Sequence, residues 1–197
     1  GSDQTKSCTD PSWAATLDTA RVAERLGFDS IWVYDHVHNV PVPAHEAVFE
    51  CWTTTAALAQ ATSTSRLGQV VSCAGYRTPA LVAKITSTID VISGGRLDWG
   101  IGAGWYDGEY AAYGYDFPKP SVRFAQLEEV ITICRLMWTE AEPSFEGTHF
   151  RIAGASAPPL PNPVPRICIG ASGEKIGLPL VGRLADMWNS FFRGDDD

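Results

Sequence analysis

The sequence predicts an α/β fold built on a parallel sheet with covering helices, either a (β/α) barrel or a doubly wound sheet. Three observations carry that expectation. Amphipathic helical stretches alternate strictly with short strand-like runs, and the runs are largely apolar, as strands buried on both faces are. The connections between them are short. A chain of 197 residues that is 45% hydrophobic and 19% charged is long enough for one domain with a real core.

The first helix is expected from Asp10-Pro11, a cap followed by proline, through Trp13, Leu17, Ala20, Ala23 and Leu26 to a stop at Gly27. "IWVY" (Ile31 to Tyr34) is the first strand. Val48, Trp52, Ala56 and Ala59 mark a second helix, and "LGQVV" (Leu67 to Val71) a second strand. Thr78-Pro79 opens a third helix that carries Leu81, Val82, Ile85, Ile89 and Ile92 and stops at Gly94-Gly95. "RLDWGI" follows as strand, then a Tyr-rich excursion with room for a short helix. Ser121 is the expected cap of a long helix through Phe124, Leu127, Ile131, Cys134 and Trp138. The rhythm breaks at about 140–165: "SFEGTHFRI" reads as a hairpin turning near Glu146-Gly147, five prolines follow, and an inserted loop of this length often borders a site. "RICI", a fifth helix and "MWN" complete the pattern. Trp13, Trp32, Trp52 and Trp138 fall on core-facing periods.

The charge balance limits the partners. Fifteen basic against twenty-three acidic side chains give a net charge of −8, which repels phosphodiester backbones and anionic membranes, so neither nucleic acid nor membrane is expected as a partner. Five scattered cysteines form no CxxC pair or disulfide framework, and a reducing cytoplasm fits that usage. No signal peptide or spanning segment is read from the sequence.

In parallel α/β architectures ligands sit beyond the carboxyl ends of the strands, so the residues just after each strand carry most of the weight. Asp35-His36 puts a carboxylate and an imidazole at the first strand end, where the carboxylate would orient or charge the ring for proton transfer. A structural histidine in the rim satisfies the same spacing. His36-x-His38 also resembles paired metal ligands, but no later strand end offers a histidine, so no metal site is expected. Ser72-Cys73 ends the second strand beside Ala74-Gly75, a place for a bulge, with Cys73 read as a small buried thiol. Gly102, Ala103 and Gly104 follow the third strand without dinucleotide-fingerprint spacing; their small size would let a flat ring lie against the backbone, with Trp105 lining the pocket. Gly170, Ala171, Ser172 and Gly173, between a strand and a helix, are the candidate phosphate cradle.

Six segments in register, "AERLGFDSIWVYDH", "SRLGQVVSCAGYRTPALVAK", "DVISGGRLDWGIGAGWYDGEYAAYGYDFP", "LEEVITICRLMW", "FEGTHFRI" and "ICIGASGEK…ADMWN", resemble the luciferase-like monooxygenase superfamily in its coenzyme F420-dependent branch. The resemblance implies a TIM barrel holding a deazaflavin, or alternatively FMN, near the strand ends. It implies hydride transfer to or from a small organic substrate, with His36 and Asp35 handling the proton. A reduced-FMN monooxygenase and a non-catalytic fragment are the competing readings. It also places a non-prolyl cis peptide at Ser72-Cys73, a phosphate loop at Gly170 to Gly173, and Trp105 where some relatives carry a catalytic glutamate. Homodimers are common among relatives.

Two departures stand out. Only the second to sixth strands of a (β/α)8 barrel are matched, so an incomplete barrel lacking the first and the last two strands is expected. Residues 1–10 then read as disordered or vector-derived, 11–190 as one partial barrel domain with its hairpin insertion, and 191–197 as a frayed tail. The helix after the phosphate loop carries Gly177, Pro179 and Gly182, which predicts a kinked or short helix.

Overall fold

Ser12 caps helix α1 (Trp13–Arg25), its hydroxyl accepting the Ala15 amide at 3.2 Å and so satisfying one of the donors a helix start leaves free. This computed structural model describes residues 12–41 and 46–190, so Asp10-Pro11, the 1–10 leader and the tail lie outside the described residues. Trp13 is not core: it is 38% exposed and meets Phe49 edge-on at 5.9 Å.

Strand β1 (Ser30–Val33) leads by way of a long loop to α2 (Cys51–Ala61). Glu50 caps that helix by accepting the Thr53 amide at 2.6 Å, which leaves Val48 outside it. Strand β2 (Arg66–Gln69) ends two residues earlier than expected; the Val70–Val71 peptide is cis, and pairing resumes in β3 (Ser72–Cys73). In α3 (Pro79–Ser93) proline takes the first position and Gly94, at φ 68°, supplies the left-handed C-cap that a residue with a Cβ adopts only with strain. Strand β4 (Leu97–Gly102) is buried throughout. The Tyr-rich excursion holds α4 (Asp107–Tyr113). Helix α5 (Pro120–Thr139) starts at Pro120 with Lys119 as its cap, so Ser121 lies inside the first turn; proline's fixed φ suits that opening position.

The insertion contains the antiparallel pair β5 (Phe145–Glu146) and β6 (Arg151–Ile152), and it does not border the strand carboxyl ends. It lies between a helix and the next strand, β7 (Arg166–Gly170), on the amino side of the sheet, where Pro163 packs against Gly95 just ahead of β4. Helix α6 (Gly177–Leu184) is eight residues long, as its composition predicts, with Pro179 in the first turn where no amide bond is lost. Strand β8 (Met187–Asn189) closes the described chain.

The main sheet runs β1-β2-β4-β7-β8, all parallel, with β3 beside β4. Each strand therefore lies next to its successor in the chain. A doubly wound sheet would reverse direction at a switch point, and this sheet does not, so it is half of a (β/α)8 barrel.

Side chains alternate along each strand. Leu67, Leu97, Trp99, Ile101, Ile167 and Ile169 are buried under the helices, where Trp99 meets Trp138 edge-on at 5.2 Å. The Trp138 indole donates to Thr86 at 2.9 Å. The opposite, inner face carries Trp32 over Gly68, the glycines of β4, and Asp98. Asp98 is 1% exposed and held by two forked arginines, Arg66 of β2 at 2.6 and 2.8 Å and Arg166 of β7 at 2.9 and 2.8 Å. Burial alone would raise its pKa; the arginine hydrogen bonds outweigh that and hold it below the usual carboxylate range.

Candidate active site at the strand carboxyl ends

After β1 the chain leaves the sheet through Tyr34, Asp35 and His36, and the two titratable neighbours separate. The Asp35 carboxylate is 3% exposed. It accepts Arg77 Nη1 at 2.6 Å, Arg77 Nη2 at 2.9 Å and the Cys73 amide at 2.9 Å, tying the loop after β1 to the loop after β3. Arg77 reaches Glu50 as well, at 2.7 Å. Asp35 is thus committed to a guanidinium, and the expectation that it orients His36 is corrected.

The carboxylate on His36 is Glu109, carried into the site by α4. Its Oε2 lies 2.7 Å from His36 Nδ1 and accepts the Tyr76 hydroxyl at 2.5 Å. Its Oε1 accepts the amides of Val37 at 2.5 Å and His38 at 3.3 Å. Glu109 is fully buried. Burial works to raise its pKa, but the bonds from Tyr76, His36 and Val37 prevail and keep it ionised below the ordinary carboxylate range. Burial, and donation to Glu109, push the Tyr76 phenol far up, so it keeps its proton. Sequence reasoning missed both residues. One signal was available: a lone glutamate beside Tyr110 in an aromatic stretch, since a charge there needs a partner if it is buried.

The other expected positions gather at the same end of the sheet. Cys73, Gly102, Gly170 and Asn189 form one lateral row of paired residues across β3, β4, β7 and β8. Ser72 is turned into the wall, donating to the Gly100 carbonyl at 2.6 Å and accepting the Trp99 indole at 3.2 Å. Cys73 is half-buried, with Sγ 2.9 Å from the Tyr110 hydroxyl, and burial raises its thiol to about 11. Gly104, at φ 78°, is backed by the Tyr110 hydroxyl and Cys73 Sγ. The space that a Cβ would need at Gly100, Gly102 and Gly170 is filled by the Gln69 carbonyl and the Val71 side chain. Smallness there admits the chain's own neighbours, which corrects the reading that it makes room for a ring. The cis peptide is Val70–Val71 rather than Ser72–Cys73.

In the expected phosphate cradle the Ala171 amide is taken by the Asn189 carbonyl at 3.3 Å, and the Gly173 carbonyl accepts the Leu178 amide. Ser172 and Gly173 are exposed. Ala103, just past β4, is half-buried. Around His36 the surface is aromatic: Tyr34 and Trp105 are 48% and 58% exposed, with ring centroids 5.7 and 6.0 Å from the imidazole. Exposed aromatic rings of this kind are what a planar redox group would stack against, and exposed Val70 adds aliphatic surface at the end of β2. Among the described residues no three His, Cys, Asp or Glu side chains converge on a metal position, and His38 Nδ1 faces the Asn39 carbonyl at 2.8 Å. No described helix is long and apolar enough to cross a membrane.

A parallel half-barrel with a buried carboxylate–imidazole pair at its carboxyl end has the architecture of a barrel enzyme, and the sequence profile of the luciferase-like monooxygenases matches residues 1–197. The chain belongs to that family. It is 36% identical over 168 residues to an F420-dependent glucose-6-phosphate dehydrogenase of Intrasporangium calvum, covering 83% of this chain and 48% of the relative. It is 32% identical over 200 residues to a phthiodiolone/phenolphthiodiolone dimycocerosates ketoreductase of Mycobacterium kansasii, covering 90% and 53%. Among solved structures, an F420-dependent secondary alcohol dehydrogenase in complex with an F420-acetone adduct superposes with a TM-score of 0.80 at 26% identity, over 92% of this chain and 55% of that one. The chain spans about half the length of the curated relatives it matches.

Proposed function

We propose that this chain forms the catalytic half of an F420-dependent oxidoreductase acting on a small organic substrate, with His36 exchanging the proton that accompanies hydride transfer. The observation that carries the reading is His36 itself. It is the one imidazole paired with a buried carboxylate among the described residues, and it sits at the strand carboxyl ends inside an exposed aromatic rim. When bound, the deazaflavin supplies the hydride chemistry. The chain's part is position and protons. Tyr34, Val70 and Trp105 offer the surface for the ring plane, with Ser72, Cys73, Gly102, Ala103 and Gly104 forming the strand-end floor. Ser172 and Gly173, with Gly170 and Ala171 behind them, offer the exposed turn for the anionic tail. Asp35 holds the floor together through Arg77 and Cys73, and in this reading it supports the site without touching the proton.

Absorbance titration tests the cofactor: F420 is expected to bind and FMN to bind weakly or not at all. The reverse result would favour the reduced-FMN monooxygenase reading. His36→Ala in the active protein is expected to lower turnover about 10²-fold or more with little change in cofactor affinity. Unchanged turnover would reduce His36 to a structural residue. A homodimer in a cytoplasmic setting belongs to the same proposal, and sedimentation velocity on the active protein reads its oligomeric state.

A further inference from the structure

We infer that Glu109 is the positioning residue that fixes the tautomer of His36, holding the proton on Nδ1 and leaving Nε2 as the atom that exchanges a proton with substrate. The inference rests on the reading of His36 given above, and it follows from how the two oxygens of one buried carboxylate are used.

Oε1 faces two backbone amides, those of Val37 and His38, which can only donate. Oε2 faces the Tyr76 hydroxyl at 2.5 Å and His36 Nδ1 at 2.7 Å. An ionised carboxylate can only accept, so the imidazole must present Nδ1–H to it, and the neutral ring then carries its lone pair on Nε2. The ionised state is supported by the bonds from Tyr76, His36 and Val37, which outweigh burial. A proton accepted at Nε2 makes an imidazolium whose Nδ1–H stays on Glu109, and the new positive charge is met by that carboxylate. No other ionised group is bonded to the ring among the described residues: Tyr34 and Trp105 meet it as neutral aromatic faces, while Asp35 and Arg77 are committed to each other. Tyr76 bonds Glu109 rather than the ring, keeping Oε2 turned toward Nδ1.

The same geometry makes Glu109→Gln a directed test. The two amides at Oε1 require an acceptor, so the glutamine carbonyl must stay there and its NH2 must occupy the Oε2 position. The NH2 would then donate to His36 Nδ1 and force the proton onto Nε2, while the Tyr76 hydroxyl adapts by accepting. The chain has four histidines, so long-range ¹H–¹⁵N spectra of the labelled full chain at alkaline pH, where imidazoles are neutral, can resolve the His36 ring. The wild type is expected to show a protonated Nδ1 and a bare Nε2, and E109Q the reverse.

In the active protein, E109Q is expected to lose about 10²- to 10⁴-fold in kcat with KM little changed, because Nε2 no longer accepts a proton. A wild-type ring protonated on Nε2 overturns the inference, and so does a folded E109Q whose ring keeps Nδ1–H. Swapped tautomers with undiminished kcat would also overturn the positioning role. Should E109Q fail to fold, the wild-type spectrum decides, together with Tyr76→Phe, which leaves Nδ1 alone on Oε2 and is expected to retain Nδ1–H. The spectra require neither cofactor nor substrate. A protein that fails to use F420 therefore defeats the functional reading without touching this result.

Discussion

Asp35 and His36 are adjacent in sequence, yet each belongs to a different network. Consecutive residues at a strand end point to opposite sides of the chain, so one carboxylate turns to Arg77 and Cys73 while the next side chain turns to Glu109. The dyad expected from the sequence is in effect two pairs, one holding loops together and one joining the imidazole to a buried carboxylate. Removing the first should cost stability. Asp35→Ala strips the forked partner from Arg77, whose side chain is only 13% exposed, and is expected to lower unfolding free energy by about 3 kcal/mol in urea titration. The His36 ring spectrum should be unchanged in the same variant. Loss of the Nδ1–H signal would show that the two pairs are coupled after all.

At the scale of elements, one device recurs: a helix-borne glutamate accepts successive amides of a distant loop. Glu129 of α5 accepts the amides of Thr148, His149 and Phe150 and so fixes the turn of the β5–β6 hairpin. Glu24 near the end of α1 accepts those of Ser63, Thr64 and Ser65 at 2.8, 2.7 and 3.1 Å, setting the entry to β2. Glu109 does the same for Val37 and His38, with the imidazole added. These amide bonds, the one from Thr64 foremost, lower the Glu24 pKa from its ordinary 4.5 to about 2.

A depressed carboxyl pKa stabilises the fold above the unfolded-state value and stops doing so as pH falls through the folded one. Glu24→Gln is therefore expected to unfold at lower urea than wild type at pH 7. The gap should narrow as pH drops below about 4.5 toward 2. An equal gap at every pH would assign the effect to lost packing. Helix α6 offers the opposite change. A methyl group at Gly182 would point into open space, so Gly182→Ala should stabilise by roughly 0.5–1 kcal/mol, read as a raised Tm.

Across the whole molecule, the strand order places each βα unit beside the next, and among the described residues β1 and β8 each pair on one side only. A parallel edge with free amides and carbonyls is a template for another strand. The inner face between those edges carries the Asp98 clamp at its amino end and Trp32 over Gly68. The 197-residue chain by itself is accordingly expected to associate with rising concentration. Sedimentation velocity across a hundredfold dilution series checks this, and a concentration-independent monomer would mean that both edges are protected.

The period of the apolar residues, the glycine stop at Gly94 and the proline start at Pro79 sufficed to specify five of the six helices, the five barrel strands and the hairpin, because these are local preferences that each segment expresses alone. The strand runs also indicated which residues would lie at the strand carboxyl ends, where the candidate site is proposed. Pairing across the chain was decided only by tertiary structure. Glu109 lies 73 residues from His36 and Arg77 lies 42 from Asp35, and nothing in either local stretch records which acid meets which base. Spacing could suggest a carboxylate beside the imidazole. Which carboxylate it is depends on where α4 folds back over the loop after β1, and that goes with the burial of Tyr110 and Glu109 on that helix.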